Sequence, residues 1–191
     1  MATCWFGRKK GKKPPPPTEK PPTARVPAVV PGAAVGAKGV SVGKLLAEDV
    51  VLIDPAASTK DELMDILIQR LCRVKALGDH AAFFQKVVER EQGISTTLDT
   101  GLSLPHARIE GIGEIAAILG VVRKGLPDPK QPELSIRAMF LFFSPNKPEM
   151  FTRHLHLLRS VSTLFQPAFI DELTAVASAS EALDLIRRKE G

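Results

Sequence analysis

Cysteine is scarce in this 191-residue sequence. Cys4 and Cys72 stand far apart, so they offer neither a metal-ligand spacing nor a disulfide framework, and such usage fits a reducing cytoplasm. Long apolar runs are missing as well. None reaches the roughly 20 residues that a membrane-spanning helix needs, so no transmembrane segment is expected. The N-terminus lacks the order of a signal peptide, because its basic cluster follows a tiny apolar start instead of preceding one. A basic excess over the body of the chain is absent too. The net charge of +5 comes from residues 1–40, where eight Lys and Arg face only Glu19, whereas residues 41–191 carry 18 basic and 20 acidic side chains. The charge therefore gives no argument for nucleic-acid binding by the folded part.

Proline, in contrast, is concentrated. Residues 1–40 hold half of the chain's 16 prolines, with Pro14 to Pro17 consecutive. Such a segment buries no core, and a disordered, basic, Pro-rich tail over 1–40 is expected. Trp5-Phe6 beside Arg8, Lys9 and Lys10 suits an anionic membrane surface or a protein partner, but equally a solvated linker. The remainder is 44% hydrophobic when counted with the tail, which is enough for one domain over 41–191.

Order is expected from about Ser41. Val50-Val51-Leu52-Ile53 reads as a buried strand ended by Asp54-Pro55. Ser58 is expected to cap a helix running to about Val74, with Leu63, Ile66, Leu67, Leu71 and Val74 inward and Cys72 off that stripe. Asp79 caps a second helix that Gly93 ends. Ile115–Val122 and Ile136–Phe143 read as central strands, with a loop over Gly125–Pro132. Helical patterns return over Glu149–Phe165, Pro167–Val176 and Glu181–Lys189, the last capped by Ser180. Strands alternating with helices predict an α/β fold, a three-layer α/β/α sandwich around a mixed central sheet.

Two places carry candidate chemistry. In Ser95–Arg108, Pro105 fixes its own φ and pushes Leu104 toward extended geometry, so His106 is expected on a loop at a strand end. Arg108 would bring a permanent cation beside it. An ordinary loop histidine next to a surface arginine fits these residues as well. On the helix that follows the last strand, His154 and His156 lie about 160° apart around the axis. His154 falls on the arc of Phe151, Leu155, Leu157, Leu158, Val161, Leu164 and Phe165, and His156 falls among Arg153, Arg159 and Thr163. His154 is thus expected inward and His156 toward water. An inward histidine needs a partner, either backbone or a pocket shared with His106.

Taken together, Ser58-Thr-Lys-Asp-Glu62, Ser95-Thr96, Gly101-Leu-Ser-Leu-Pro-His106-Ala-Arg108, the Phe-Leu-Phe-Phe strand ending in Ser144-Pro145, His154-Leu-His-Leu-Leu158 and Ala179-Ser-Glu-Ala-Leu resemble one family. It is the enzyme IIA domain of the phosphoenolpyruvate-dependent phosphotransferase system (PTS), fructose/mannitol type, including its nitrogen-related regulatory branch. The resemblance covers about residues 41–189. It implies a cytoplasmic phosphocarrier in which His106 takes a phosphoryl group from phospho-HPr and passes it to a cysteine of an enzyme IIB partner. It also implies that His154 donates a hydrogen bond to the phosphoryl oxygens and that Arg108 adds charge-assisted ones. No metal or organic cofactor is called for, and the acceptor is expected to be a separate protein.

One segment departs from the family pattern. Thr97-Leu98-Asp99-Thr100 replaces a Gly-rich stretch with an Asn, and Asp99 would oppose phosphorylation if it faced the site. A second reading therefore stands beside the first: a regulatory interaction module with an inert site on the same fold, binding regulatory protein partners through its surface or tail.

Overall fold

The computed structural model describes Met1, residues 40–93 and residues 95–191 of the protein. The expectations for the tail over 1–40, with Cys4 and the Trp5-Phe6 pair, lie outside the described residues except at the two ends.

From Val40 on, the element order follows the pattern expected. A short α1 (Val42–Leu45) and a 3-10 turn lead into β1 (Val51–Ile53), and helices α2 (Lys60–Val74) and α3 (His80–Glu91) come next. Strands β2 (Leu102–Ser103), β3 (His106–Ile109), β4 (Ala116–Pro127) and β5 (Ser135–Pro145) precede helices α4 (Phe151–Leu164), α5 (Pro167–Ala175) and α6 (Ala179–Glu190). The strands form one mixed five-stranded sheet. β1 runs parallel to β4, β4 antiparallel to β5, and β2 and β3 both lie parallel to β5.

The alternation of side chains along β5 sorts the core into two sides. Phe143 meets Phe83 of α3 with ring centroids 4.8 Å apart. Phe140 and Phe142 point to the other face and meet Phe165, just past α4, at 5.9 Å and His154 on α4 at 5.2 Å. Gly120 is opposite Met139 in the β4–β5 register, and a Cβ there would stand 3.1 Å from Leu67 of α2. A glycine is what lets α2 lie that close to the sheet. The three-layer sandwich is thus as expected, with α2 and α3 on one face and α4 and α5 on the other.

Several local expectations are corrected. The cap of α2 is Thr59, not Ser58: Thr59 is extended and its Oγ1 accepts from the Glu62 amide, while Glu62 accepts from the Ser58 amide at 2.7 Å. This is a variant of the capping box, one residue later than expected, in which the carboxylate reaches the amide just before the cap. Ser178, not Ser180, caps α6 in the same way with Glu181. Gly125–Pro127 belongs to β4, because Leu126 pairs with Ile136 and Pro127 with Ser135 beyond an irregularity that absorbs the positive φ of Gly125. Cys72 is buried, since α2 packs against α3 as well as the sheet and its inward arc includes Met64, Ile68 and Cys72. Phe151 and Leu155, expected inward, are 48% and 46% exposed. The inward stripe of α4 is the narrower His154, Leu157 and Val161.

Candidate functional site

The stretch around His106 begins as a closed turn. The Leu98 amide donates to the Leu102 carbonyl at 2.8 Å, the Gly101 amide donates to the Leu98 carbonyl at 3.1 Å, and Thr97 bridges Ser103. Gly101 closes this turn at φ 88°, the left-handed region where a side chain is strained. Pro105 then carries the chain from β2 into β3, its carbonyl accepting from the Phe142 amide at 3.2 Å. His106 therefore is the first residue of β3 instead of lying in a loop, which corrects the strand-end loop expected from Pro105.

Register explains the next contact. His106 and Phe142 are partners in the parallel β3–β5 ladder, and their rings stack at 5.4 Å with an 11° tilt. His154 reaches the same place from α4, its ring centroid 5.3 Å from that of His106. His106 is 9% exposed and His154 is 5% exposed, while His156 stays partly exposed on another side of α4. The inward projection of His154 is thus observed, and the pocket it shares is that of His106.

Each ring is held by one hydrogen bond. Nδ1 of His106 lies 2.8 Å from the Leu104 carbonyl. A carbonyl only accepts, so Nδ1 carries the proton and Nε2 keeps the lone pair. Nδ1 of His154 lies 2.7 Å from the Ser144 hydroxyl, which is fully buried. That hydroxyl has no other acceptor among the bonds of the described residues, so it donates to Nδ1 and leaves the proton on Nε2 of His154.

Both imidazoles are held neutral. Burial lowers the pKa of His106, the Leu104 carbonyl works the other way, and the positive charge of Arg90 lowers it further against the raising influence of Glu91. Burial, then His106, Arg108 and Arg90, bring His154 down to about 4. Asp99 is exposed at the turn, and the charges that act on His106 are those of Arg90 and Glu91.

Arg108 is half-buried two residues along β3. Its terminal nitrogen donates to the Lys147 carbonyl at 2.9 Å, and its guanidinium lies 5.3 Å from the Phe151 ring centroid. Its Nε is buried without a partner among the described residues. Sequence reasoning missed Arg90, the other cation near the pair, because the end of α3 gives no periodic signal of its fold neighbour. It also missed a buried charge cluster of Lys60, Glu91 and Asp128 with Ser95 and Thr97. Lys60 was visible only as one letter of Ser58-Thr-Lys-Asp-Glu62.

A neutral ring with an available Nε2, a second ring with an Nε2 proton, and two guanidinium groups nearby suit an anionic group that is attacked by one imidazole and bonded by the other. Among the described residues no group of His, Cys, Asp and Glu has a metal-binding arrangement, and no helix is long and apolar enough to cross a membrane.

Comparison with known proteins bears on the family and the fold. The family model described as phosphoenolpyruvate-dependent sugar phosphotransferase system, EIIA 2, matches residues 44–189. The chain is 20% identical over 152 residues to the PTS system fructose-specific EIIABC component of Bacillus subtilis, covering 79% of this chain and 24% of that protein. It thus spans about a quarter of that relative's length. Nitrogen regulatory protein IIA-Ntr of Neisseria meningitidis superposes with a TM-score of 0.67 at 24% identity, over 76% of this chain and 98% of the other. Enzyme IIA mannitol of Escherichia coli, solved in complex with phosphorylated enzyme IIB mannitol, gives 0.63 at 16% identity over 75% and 97%. At these identities the structural likeness speaks for the fold alone.

Proposed function

Because the chain belongs to the phosphoenolpyruvate-dependent sugar phosphotransferase EIIA 2 family, we propose that it is a cytoplasmic phosphocarrier that takes a phosphoryl group from phospho-HPr on His106. The observation that carries the reading is the pairing of His106 with His154, two buried rings 5.3 Å apart from separate elements. Nε2 of His106 attacks phosphorus, and the bond from phosphorus to the donor breaks with its electron pair left on the donor. Nδ1 keeps its proton throughout. As the His106 ring gains positive charge, its bond to the Leu104 carbonyl becomes charge-assisted and stabilises the transfer. Nε2–H of His154 donates to a phosphoryl oxygen, and Arg90 and Arg108 offset the negative charge. Low pKa values on both rings keep them neutral at cytoplasmic pH, as a nucleophile and a neutral donor must be. The phosphoryl group then leaves His106 for a cysteine of an enzyme IIB component, in sugar uptake or its regulatory branch.

The turn over Thr97–Thr100 supports an active site despite its altered sequence. Gly101 alone provides the positive φ it needs, and Asp99 stays at the surface. Incubation with phosphoenolpyruvate, enzyme I and HPr should give one acid-labile, base-stable phosphate, lost entirely in His106→Ala. If the wild-type protein takes no label while a known carrier does, the reading fails and an inert regulatory module on the same fold replaces it.

A further inference from the structure

Beside the two histidines lies a cluster of charge that phosphoryl transfer itself leaves unused. Lys60 is 3% exposed in the first turn of α2, and its Nζ sits 2.6 Å from Glu91 Oε2 and 3.0 Å from Asp128 Oδ2. Ser95 Oγ and Thr97 Oγ1 complete its surroundings at 3.2 Å and 3.3 Å. Asp128 is fully buried, yet hydrogen bonds from Thr97, Ser95, the Lys130 amide and Lys60 outweigh its burial and keep it ionised. Buried ion pairs are weak evidence for stability, because desolvation offsets their attraction. What this cluster fixes is geometry.

A path of hydrogen bonds, joined through the backbones of Thr96 and Leu104, leads from the cluster to His106. Lys60 donates to one oxygen of Glu91, and the Thr96 hydroxyl donates to the other. The Thr96 carbonyl accepts from the Leu104 amide at 3.1 Å, and the Leu104 carbonyl accepts from Nδ1 of His106 at 2.8 Å. A second branch closes the turn that precedes Leu104: Thr97 Oγ1 donates to Asp128 at 2.5 Å and lies 3.2 Å from Ser103 Oγ. The elements so joined are far apart in sequence, α2 at Lys60, the end of α3 at Glu91 and the end of β4 at Asp128.

We propose that Lys60 and Glu91 are positioning residues that select the reactive nitrogen of His106, by holding Thr96 and through it the Leu104 carbonyl. The proposal rests on His106 being the phosphoryl acceptor. An unrestrained imidazole favours the proton on Nε2, which would leave the lone pair on Nδ1, turned toward the Leu104 carbonyl and useless for attack. The Leu104 carbonyl reverses that preference only while Leu104 is held in place, and the residue is held at its own amide, one peptide before the carbonyl. Thr96 is the part of the chain that holds it, and Glu91, pinned by Lys60, holds Thr96.

Two variants and one rescue test this. Thr96→Val cuts the link and leaves Lys60 paired. The triple variant Lys60→Met, Glu91→Gln, Asp128→Asn removes the charges together, so no buried ion is left alone. The tautomer of His106 is read by nitrogen-15 NMR on the unphosphorylated protein, and single-turnover transfer is measured from phospho-HPr. Both variants should shift His106 toward the Nε2-protonated form and slow transfer about tenfold or more with donor affinity little changed. Thr96→Ser, which keeps the hydroxyl, should restore both readouts. If the tautomer stays as in the wild type and transfer falls only with the folded fraction, the cluster is merely structural and the proposal is overturned. Absence of label on the wild-type protein would overturn the phosphocarrier reading instead, because the tautomer readout needs no donor.

Discussion

The hydroxyl of Ser144 lies 2.7 Å from Nδ1 of His154, and both groups are shut off from solvent. Arg108 is the register partner of Ser144 on β3, so the support for His154 is built into the same pair of strands that carries His106.

Ser144→Ala should therefore leave His106 in place but free the His154 ring. Label transfer from phospho-HPr is expected to slow about tenfold, as when an orienting partner of a functional histidine is lost. His156→Ala, run in parallel, should transfer at the wild-type rate. A Ser144→Ala protein with unchanged kinetics would show that the hydroxyl does not orient the ring.

Stability should fall as the solution is made acidic, in a window set by His154. Its pKa is about 4 in the folded protein and 6.5 as a free side chain. Between these values the unfolded chain binds the proton and the native one does not. Stability is thus fully present above the unfolded value and lost as pH falls, on the order of 3 kcal/mol by pH 4 from this group. The lowered pKa of His106 acts in the same direction. Asp54 and Asp128, also lowered, act in the same sense but only at pH values below the ordinary carboxylate range. Urea unfolding between pH 7 and 4.5 checks this, and an equal slope in His154→Gln would refute it.

Gly101→Ala should destabilise the protein more than Gly111→Ala. Both glycines have positive φ, 88° and 82°, so each substitution carries backbone strain of about 1 kcal/mol or more. Only at Gly101 would the new Cβ also press on backbone, 3.2 Å from the Ser135 carbonyl, whereas Gly111 has open space. Denaturant midpoints compare the two, and equal losses would remove the contact from the account.

Glu190→Ala should loosen the start of the domain. Its carboxylate accepts from the Val42 amide at 2.5 Å, the Gly43 amide at 2.9 Å and the Ser41 hydroxyl at 2.8 Å. Charge-assisted bonds of this kind suggest a loss of about 2 kcal/mol, several degrees in melting temperature for a domain of this size. Faster amide exchange at Val42 and Gly43 would place the effect there, and unchanged exchange would argue against it.

What could be read from the sequence was whatever one element contains within itself. Periodicity on α4 turned His154 inward and His156 aside, and β-branched and aromatic runs marked β4 and β5. The errors came where a neighbour decides. Phe151 lies over the Arg108 guanidinium at the surface instead of in the core, and nothing in α4 itself announces that. Thr59, not Ser58, is the cap, because its extended backbone places its Oγ1 on the Glu62 amide. Lys60 escaped notice because a lysine is ordinarily exposed, and its burial depends on Glu91 and Asp128, which are 31 and 68 residues away.

Lys60 also has a consequence for how the site meets its surroundings. Its ammonium stands among four oxygens, from Glu91, Asp128, Ser95 and Thr97, in the manner of a small hard ion in its coordination shell. This ion is tethered by four methylenes and has no dissociation constant. Chelators cannot strip it, other cations cannot exchange with it, and the ionic composition of the medium does not set its occupancy. Helix α2 is the anchor of that tether, so the reach of one side chain sets how far the helix stands from the turn that leads to His106.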